Sequence, residues 1–454
     1  MEVDAIVVGL GPGGEEVAGS LAEAGLEVVG IEAELVGGEC PYWGCIPSKM
    51  MVRAADLLAE GRRIPGLAGA SVVTPDWWTV AARIRNEATD AWDDTVAVQR
   101  FEGKGGHFVR GRARLTGSSS VEVDGQSFRA RRALVVAAGQ KAWVPPMFEA
   151  VPHWTNRGAV AAEVLPASLL VIGGGAVGLE VGQALSRFGT RVTVVEQGER
   201  LVESEEPEAS ELMADLLRRQ GMEVHIGADI ERVERSGATG ASVHLAGGRV
   251  LTGERMLVAT GRRSDLASLG VGALGLDESA RAISVDGRLR AAPGVWAVGD
   301  ITGKGAYTHV ALYQARLCAA DVLGRPLPEA DYRALPRVTF TDPEIGSVGQ
   351  TEAQARADGG DVAVYCEPIA DSARGWIHRG EGLVKLVVSD GVLVGATSMA
   401  PAGGEVLGLL TLGVHTRVDV ETLRSMIFAY PTFHRAIESA VWSPPRSASK
   451  MAGA

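Results

Sequence analysis

One pattern that occurs twice constrains this chain more than any other feature of its sequence. Asp4-Ala5-Ile6-Val7-Val8 reads as a buried strand, Gly9-Leu10-Gly11-Pro12-Gly13-Gly14 as a turn that opens a helix, and Val28-Val29-Gly30-Ile31 as a strand ending on Glu32. The same parts return as Leu169-Leu170-Val171-Ile172, then Gly173-Gly174-Gly175-Ala176-Val177-Gly178, then Val192-Thr193-Val194-Val195 ending on Glu196. In both copies the acid stands 18 residues after the last glycine. Each part has a mechanical reason. Gly9 and Gly173 allow the tight turn, Gly11 and Gly175 let backbone approach a pyrophosphate, and Gly14 and Gly178 let helix pack closely on strand. Glu32 and Glu196 reach a ribose hydroxyl. Two such units predict an α/β fold with two Rossmann-like domains and two bound dinucleotides.

Size and charge narrow the class further. A chain of 454 residues exceeds one ordinary core and should divide into about three domains. A formal charge of -12 argues against nucleic acid as partner, because phosphate binding needs a basic surface. No uninterrupted apolar run reaches membrane-spanning length, so no membrane contact is expected. The first strand begins within five residues of Met1, leaving no room for a signal peptide, and a cytoplasmic location is expected.

Cys40 and Cys45 lie in Gly37-Gly38-Glu39-Cys40-Pro41-Tyr42-Trp43-Gly44-Cys45-Ile46-Pro47-Ser48-Lys49. With four residues between them they can close a small disulfide loop, and the Pro and Gly inside it favour a turn over regular helix. In a reducing compartment a close pair is more often catalytic or metal-binding than structural. Zinc would require two more ligands at similar spacing, and no His or Cys lies near in sequence, so redox chemistry ranks above metal. Cys318 and Cys366 sit in apolar surroundings and read as buried free thiols. Two dinucleotides beside a cysteine pair form a relay: a nicotinamide gives a hydride, and a flavin can accept it and pass electrons to sulfur.

The rest of the first half reads as helical from Asp56 to about Phe101, with Trp77, Trp78 and Trp92 on a packing face. Val121 to Val123 and Ser127 to Phe128 read as a small meander. Ala133 to Ala138 is a buried strand ending at Gly139, with Pro145-Pro146 as punctuation where the chain leaves the first domain.

The cysteine stretch resembles the redox signature of the class I FAD-dependent pyridine nucleotide-disulfide oxidoreductases, the group of dihydrolipoamide dehydrogenase, glutathione reductase and mercuric reductase. The resemblance covers nearly the whole chain. Gly299-Asp300 looks like the second flavin motif, with the Asp on the ribityl chain. Thr260-Gly261-Arg262-Arg263 looks like the turn closing the nicotinamide domain, and Phe340-Thr341-Asp342-Pro343-Glu344 like the opening of the dimer-interface domain. The resemblance implies a discontinuous FAD domain (1-146 and 268-334), an NAD(P) domain (147-267) and a C-terminal α+β dimerisation domain (335-454). It implies a homodimer with an active site shared across the interface. Cys40 would be the interchange thiol, Cys45 the thiol facing the flavin, and Lys49 would pair with Glu180 beside the flavin's reactive edge. A small-molecule disulfide would be the substrate. Glu196 favours NADH by repelling a 2'-phosphate, although Arg200 stands close enough in sequence to keep NADP possible.

At the C-terminus the chain departs from the family pattern His-Pro-Thr-x-x-Glu and is atypical in lacking that dyad. It reads Tyr430-Pro431-Thr432-Phe433-His434-Arg435. Tyr430 and His434 are the candidate replacements. A displaced His434-Glu438 dyad is disfavoured, because four helical residues move the imidazole about 6 Å along the axis. Mercury is disfavoured because no cysteine pair stands near the C-terminus. The alternative to the relay is a diaphorase, quinone reductase or transhydrogenase acting directly from the flavin. Pro41, Tyr42 and Trp43 are bulky for their loop; they either shape a flat apolar substrate pocket or fill space at the subunit interface.

Overall fold

The computed structural model describes residues 1–445, so residues 446–454 of the expected interface domain lie outside it. The apolar runs of both fingerprints form strands buried on both faces, as parallel strands covered by helices are. Glu2–Val8 pairs in parallel with Val28–Glu32 on one side and with Gln126–Val136 on the other. His107–Arg110 extends this sheet beyond Val28–Glu32. Val295–Ala297 adds to Gln126–Val136, so a strand from late in the chain completes the first sheet. With the antiparallel pieces at its margins the sheet has eight strands.

Ser168–Ile172, Arg191–Val195, Glu223–His225 and Arg255–Val258 form a second, four-stranded parallel sheet. A three-stranded antiparallel sheet of Ile230–Ser236, Gly240–Leu245 and Val250–Gly253 accompanies it. Chain passage between the first and second sheets runs through a short ribbon, in which Lys141–Ala142 pairs antiparallel with Arg262–Arg263. From Pro336 the chain builds a five-stranded antiparallel sheet backed by the helices Gly403–Thr416 and Arg435–Trp442. This is the α/β architecture with a separate C-terminal α+β unit. Among the described residues no helix is long and apolar enough to cross a membrane.

Several local expectations need correction. Cys40 lies on a one-turn helix, Glu39–Tyr42, and Cys45 is the first residue of the helix Cys45–Arg63; the loop is more helical than its Pro and Gly suggested. Pro41 falls in the first turn of its helix, where a missing N–H costs nothing. The continuous helical run from Asp56 to Phe101 is broken: Cys45–Arg63 is followed by an irregular stretch, then Trp77–Arg83, a π-turn at Ile84–Ala88 and the helix Thr95–Gly103. Trp77 is buried and its Nε1 donates to the Ala162 carbonyl at 2.8 Å, whereas Trp78 is 60% exposed and lies off the packing face. Val121 to Val123 pairs antiparallel with the chain through Ser127 and Phe128, as the meander predicts, but these two do not end there. They begin the 11-residue strand that runs on through Ala133 to Val136. Cys318 is buried as expected, while Cys366 is only half-buried.

After the π-turn the backbone changes hand. Asp90, Ala91 and Trp92 have φ of 48, 54 and 60°, three consecutive non-glycine residues in the left-handed region. Such a conformation costs about 1–2 kcal/mol per residue, because Cβ crowds the following carbonyl. Asp tolerates it best through local hydrogen bonding, and Ala91 has no such recourse. Ala91→Gly is expected to raise stability by about 1 kcal/mol, measured as a shift in the urea unfolding midpoint. An unchanged or lowered midpoint would show that the turn stores no strain at this residue.

Candidate active site

The two glycine-rich turns are built alike, down to the atoms that hold them. A Cβ on Gly14 would lie 1.9 Å from the Gly9 carbonyl oxygen, and one on Gly178 would lie 2.2 Å from that of Gly173. Helix and strand therefore meet only because these positions lack side chains. Each strand-end acid then brackets its turn. Glu32 accepts hydrogen bonds from the Leu10 and Glu34 amides, both at 2.8 Å. Glu196 accepts from the Gly174 amide at 2.5 Å and the Gly198 amide at 2.6 Å. Each carboxylate oxygen keeps a second lone pair, so the bracket leaves acceptor capacity for a ribose hydroxyl.

The cleft at the first turn is lined by Gly9, Gly11, Gly14, Glu32, Gly139 and Asp300, with Glu39, Trp43 and Arg157 at its redox-loop side. Burial pushes the carboxyls of Glu32 and Asp300 above their usual range. Asp300 has the Arg262 guanidinium at 3.6 Å as its ion-pair partner, which offsets burial only in part. A buried carboxylate facing such a cleft fits the hydroxyl-rich chain of a flavin dinucleotide, and the glycine cradle fits its pyrophosphate. The turn at Gly299 is fixed by the Gln314 amide oxygen, which accepts from the Gly299 N–H at 2.6 Å.

The second turn, with Gly173, Gly175 and Gly178, abuts the backbone of Ala259 and Thr260, and the carbonyl of the next residue, Gly261, accepts from the Trp143 amide at 2.9 Å. Arg200 does not reach outward from it. Its guanidinium donates to the carbonyls of Glu203 and Glu205 and to Ser210 Oγ, which occupies it within its own loop.

At the redox loop Cys40 and Cys45 are free, half-buried thiols. Cys45 is lowered from its ordinary value of 9.0 to about 6, first by the hydrogen bond from Cys40 and then by Thr308 and the Lys49 cation. Cys40 is raised, because its proton is shared with Cys45 and it is partly buried. Thr308 Oγ1 lies 3.4 Å from the Cys45 sulfur. The first position of the helix Cys45–Arg63 favours negative charge there as well.

Lys49, one turn further on, pairs with Glu180 at 2.7 Å, and its ammonium sits 4.6 Å from the centre of the Phe340 ring. The other oxygen of Glu180 accepts from the Phe340 amide at 2.8 Å.

Tyr430 and His434 lie away from this cluster's hydrogen bonds within the chain. Tyr430 is 69% exposed, with the Arg435 guanidinium 5.2 Å from its ring centre. Glu438 pairs with Arg435 at 2.7 Å, so its carboxylate serves that arginine and not His434.

Within the chain the aromatic residues of the redox loop pack on neighbouring elements, and Trp43 also lines the cleft at the first turn. Tyr42 is buried within the chain, and Trp43 stacks on Trp92 with centroids 5.2 Å apart and planes at 20°. Asn156 and Arg157 complete the surroundings and were not foreseen. Asn156 donates to the Trp43 carbonyl at 3.0 Å, and Arg157 bridges Glu39 and Glu34. Thr308 has no local signal, and Phe340, marked in the sequence only as the opening of the interface domain, meets the site through its ring and its amide. Among the described residues no cluster of His, Cys, Asp and Glu could hold a metal ion.

Two profiles of known families match most of the chain. The family profile described as pyridine nucleotide-disulphide oxidoreductase matches residues 3–315, and the dimerisation domain of that family matches residues 335–441. A dihydrolipoyl dehydrogenase of Geobacillus stearothermophilus is 31% identical over 452 residues, covering 95% of this chain and 94% of the relative. A mercuric reductase of Bacillus cereus is 30% identical over 462 residues, covering 99% of this chain and 73% of the relative. The crystal structure of LpdA from Mycobacterium tuberculosis superposes with a TM-score of 0.84 at 26% identity, covering 97% of this chain and 99% of that one.

The thiol geometry sets a pH dependence. In the reduced protein, alkylation of Cys45 should rise with pH about a midpoint near 6, read by mass spectrometry of the quenched protein. Cys40→Ser removes the sulfur donor, and the midpoint should then move upward; a midpoint near 9 in the unaltered protein would contradict the assignment.

Proposed function

The chain belongs to the pyridine nucleotide-disulphide oxidoreductases, FAD-dependent NAD(P)H enzymes with a dimerisation domain, and we propose that its Cys40–Cys45 pair carries electrons from NADH to a small disulfide substrate. One observation carries this reading. Cys45, a free thiol at the head of the helix Cys45–Arg63 and 3.4 Å from Thr308 Oγ1, stands four residues before a lysine locked to a buried glutamate. The cleft of Gly9, Gly11, Gly14, Glu32 and Asp300 would hold FAD, which would supply the hydride acceptance and two-electron delivery that link NADH to the disulfide.

The residues then divide the work. Two electrons and one proton open the Cys40–Cys45 disulfide into one thiol and one thiolate. Cys45 keeps the negative charge, stabilised by the Cys40 hydrogen bond, Thr308 and Lys49, and Cys40 keeps the proton. On losing that proton, Cys40 attacks one sulfur of the substrate disulfide. The substrate S–S bond breaks, a mixed disulfide forms on Cys40, and the departing thiolate is protonated. Cys45 then attacks Cys40 and restores the internal disulfide, releasing the second substrate thiolate, which is protonated in turn.

Glu180 holds the Lys49 ammonium in place while its own buried charge is neutralised, an arrangement in which either partner alone would be costly. Glu196 supports NADH over NADPH, and Arg200, engaged by its own loop, offers no ready partner for a 2'-phosphate. Tyr430 and His434 lie on the C-terminal unit that carries the match to the dimerisation domain. In a homodimer built on that domain, Tyr430 and His434 would face the redox loop of the partner subunit and take the place of the dyad the chain lacks. A dihydrolipoamide-like dithiol or its disulfide is the leading substrate class, given the relatives at 29–31% identity with that activity. A cytoplasmic setting suits a cysteine pair that cycles in place of serving as a structural bridge.

Cys40→Ser provides the test. NADH-dependent reduction of lipoamide should fall by about 100-fold or more, while NADH-dependent reduction of ferricyanide, which takes electrons without the cysteines, should persist. Full lipoamide turnover in the variant would overturn the relay.

A further inference from the structure

The segment between the two cysteines is held from outside at every residue that carries an aromatic ring. Tyr42 is 7% exposed, and its carbonyl accepts from the Trp92 indole N–H at 3.3 Å. Trp43 stacks on Trp92, has the Arg157 guanidinium 5.3 Å from its ring centre, and has its carbonyl bonded by Asn156. One residue, Trp92, therefore engages both the backbone and a side chain of the loop. It reaches them from the left-handed turn Asp90–Trp92, directly after a π-turn, and irregular helical turns of that kind are frequent at functional sites.

We propose that Trp92 is a positioning residue for thiol–disulfide exchange, locking Tyr42 and Trp43 so that the Cys40–Cys45 bond opens and closes by motion of the cysteine side chains alone. Bonded sulfurs stand about 2.05 Å apart, and the cysteine side chains can supply the further separation of a dithiol by rotation without moving the backbone between them. A loop free to relax would let Cys40 drift from Cys45 after reduction, which weakens the hydrogen bond between the sulfurs and slows ring closure. Trp92 takes one face of Trp43, and Tyr42 is buried, so both rings are anchored by the chain itself. Their bulk acts on the loop itself.

This inference rests on the relay reading of Cys40 and Cys45, so the experiment includes Cys40→Ser beside the Trp92 variants. Each holoenzyme is assayed for NADH-dependent lipoamide reduction, for NADH-dependent ferricyanide reduction, and for the far-ultraviolet circular-dichroism couplet of two stacked indoles. Trp92→Ala should abolish the couplet and lower kcat with lipoamide about ten- to a hundredfold, the scale expected for a reacting group displaced by about 1 Å. The ferricyanide rate should stay within about twofold. Trp92→Phe keeps a ring on Trp43 and should recover most of the lipoamide rate. Trp92→Leu, which fills the volume without a ring, should behave as Trp92→Ala and serves in its place if that variant does not retain FAD.

Lipoamide kcat within about twofold of the unaltered protein in Trp92→Ala or Trp92→Leu would overturn the proposal, as would a parallel fall of both activities in the Trp92 variants. If Cys40→Ser itself keeps lipoamide turnover, the relay reading has failed; if Cys40→Ser loses it and Trp92→Leu does not, only the positioning role has failed.

Discussion

The structure turns on a polar seam along one face of the helix Ala176–Arg187. Glu180, Gln183 and Arg187 stand at i, i+3 and i+7, and all three are buried, at 5%, 3% and 8% exposure. Each is satisfied by groups from elsewhere in the chain. Glu180 takes Lys49 from the redox helix and the Phe340 amide. Gln183 accepts from the Asp342 amide and donates to the Asp342 carbonyl. Arg187 bridges Asp56 of the redox helix and Asp342. Buried polar groups are costly unless paired, and here each of the three has at least one partner in another structural unit. The redox helix, the second dinucleotide unit and the entry to the C-terminal unit therefore have one relative placement that satisfies this face.

A second junction works on the same principle further along. Glu205 and Glu206, buried after the second fingerprint, meet Arg337 and Ser347 in one case and the fully buried Lys385 in the other. Lys385 also lies 2.9 Å from Glu208 and from Glu352. With three carboxylates around it, its ammonium is held above the usual lysine range in spite of its burial. The C-terminal sheet is thus fixed to the second dinucleotide unit at two separated points. Together the two junctions hold the lysine beside the redox pair in place through groups far from either cysteine.

What could be read from the sequence were the parts whose chemistry is local. The cradles were legible because the glycines and the acid of each lie on one strand-turn-helix-strand run, and the bracket from Glu32 to Leu10 closes within it. The cysteine pair was legible from spacing, and Lys49 with Glu180 followed from family resemblance. The contacts of Asn156, Thr308 and Phe340 were not legible, because they span 113, 263 and 160 residues and exist only after the units dock. The left-handed turn at Asp90–Trp92 was hidden for another reason: Asp-Ala-Trp contains no glycine to announce it. Trp92 was accordingly read as core filling. One signal was present and went unused. Glu180, Gln183 and Arg187 repeat at helical spacing on an otherwise apolar helix, a pattern that marks a face meeting polar partners.

The paired carboxylate brackets carry a consequence for how coenzyme preference can change over evolutionary time. Glu196, which we propose meets a ribose, is also the staple that ties its own turn together through two backbone amides. A mutation that removes its charge to admit a phosphorylated coenzyme also loosens the turn that receives the pyrophosphate. Arg200 cannot offset the loss without releasing the loop at Glu203 and Glu205. A switch of coenzyme along this lineage is therefore a coupled path, in which new support for the turn must arise before or together with the new specificity. The flavin side is bound by the same rule through Glu32, so the two halves of this duplicated architecture share one brake on divergence.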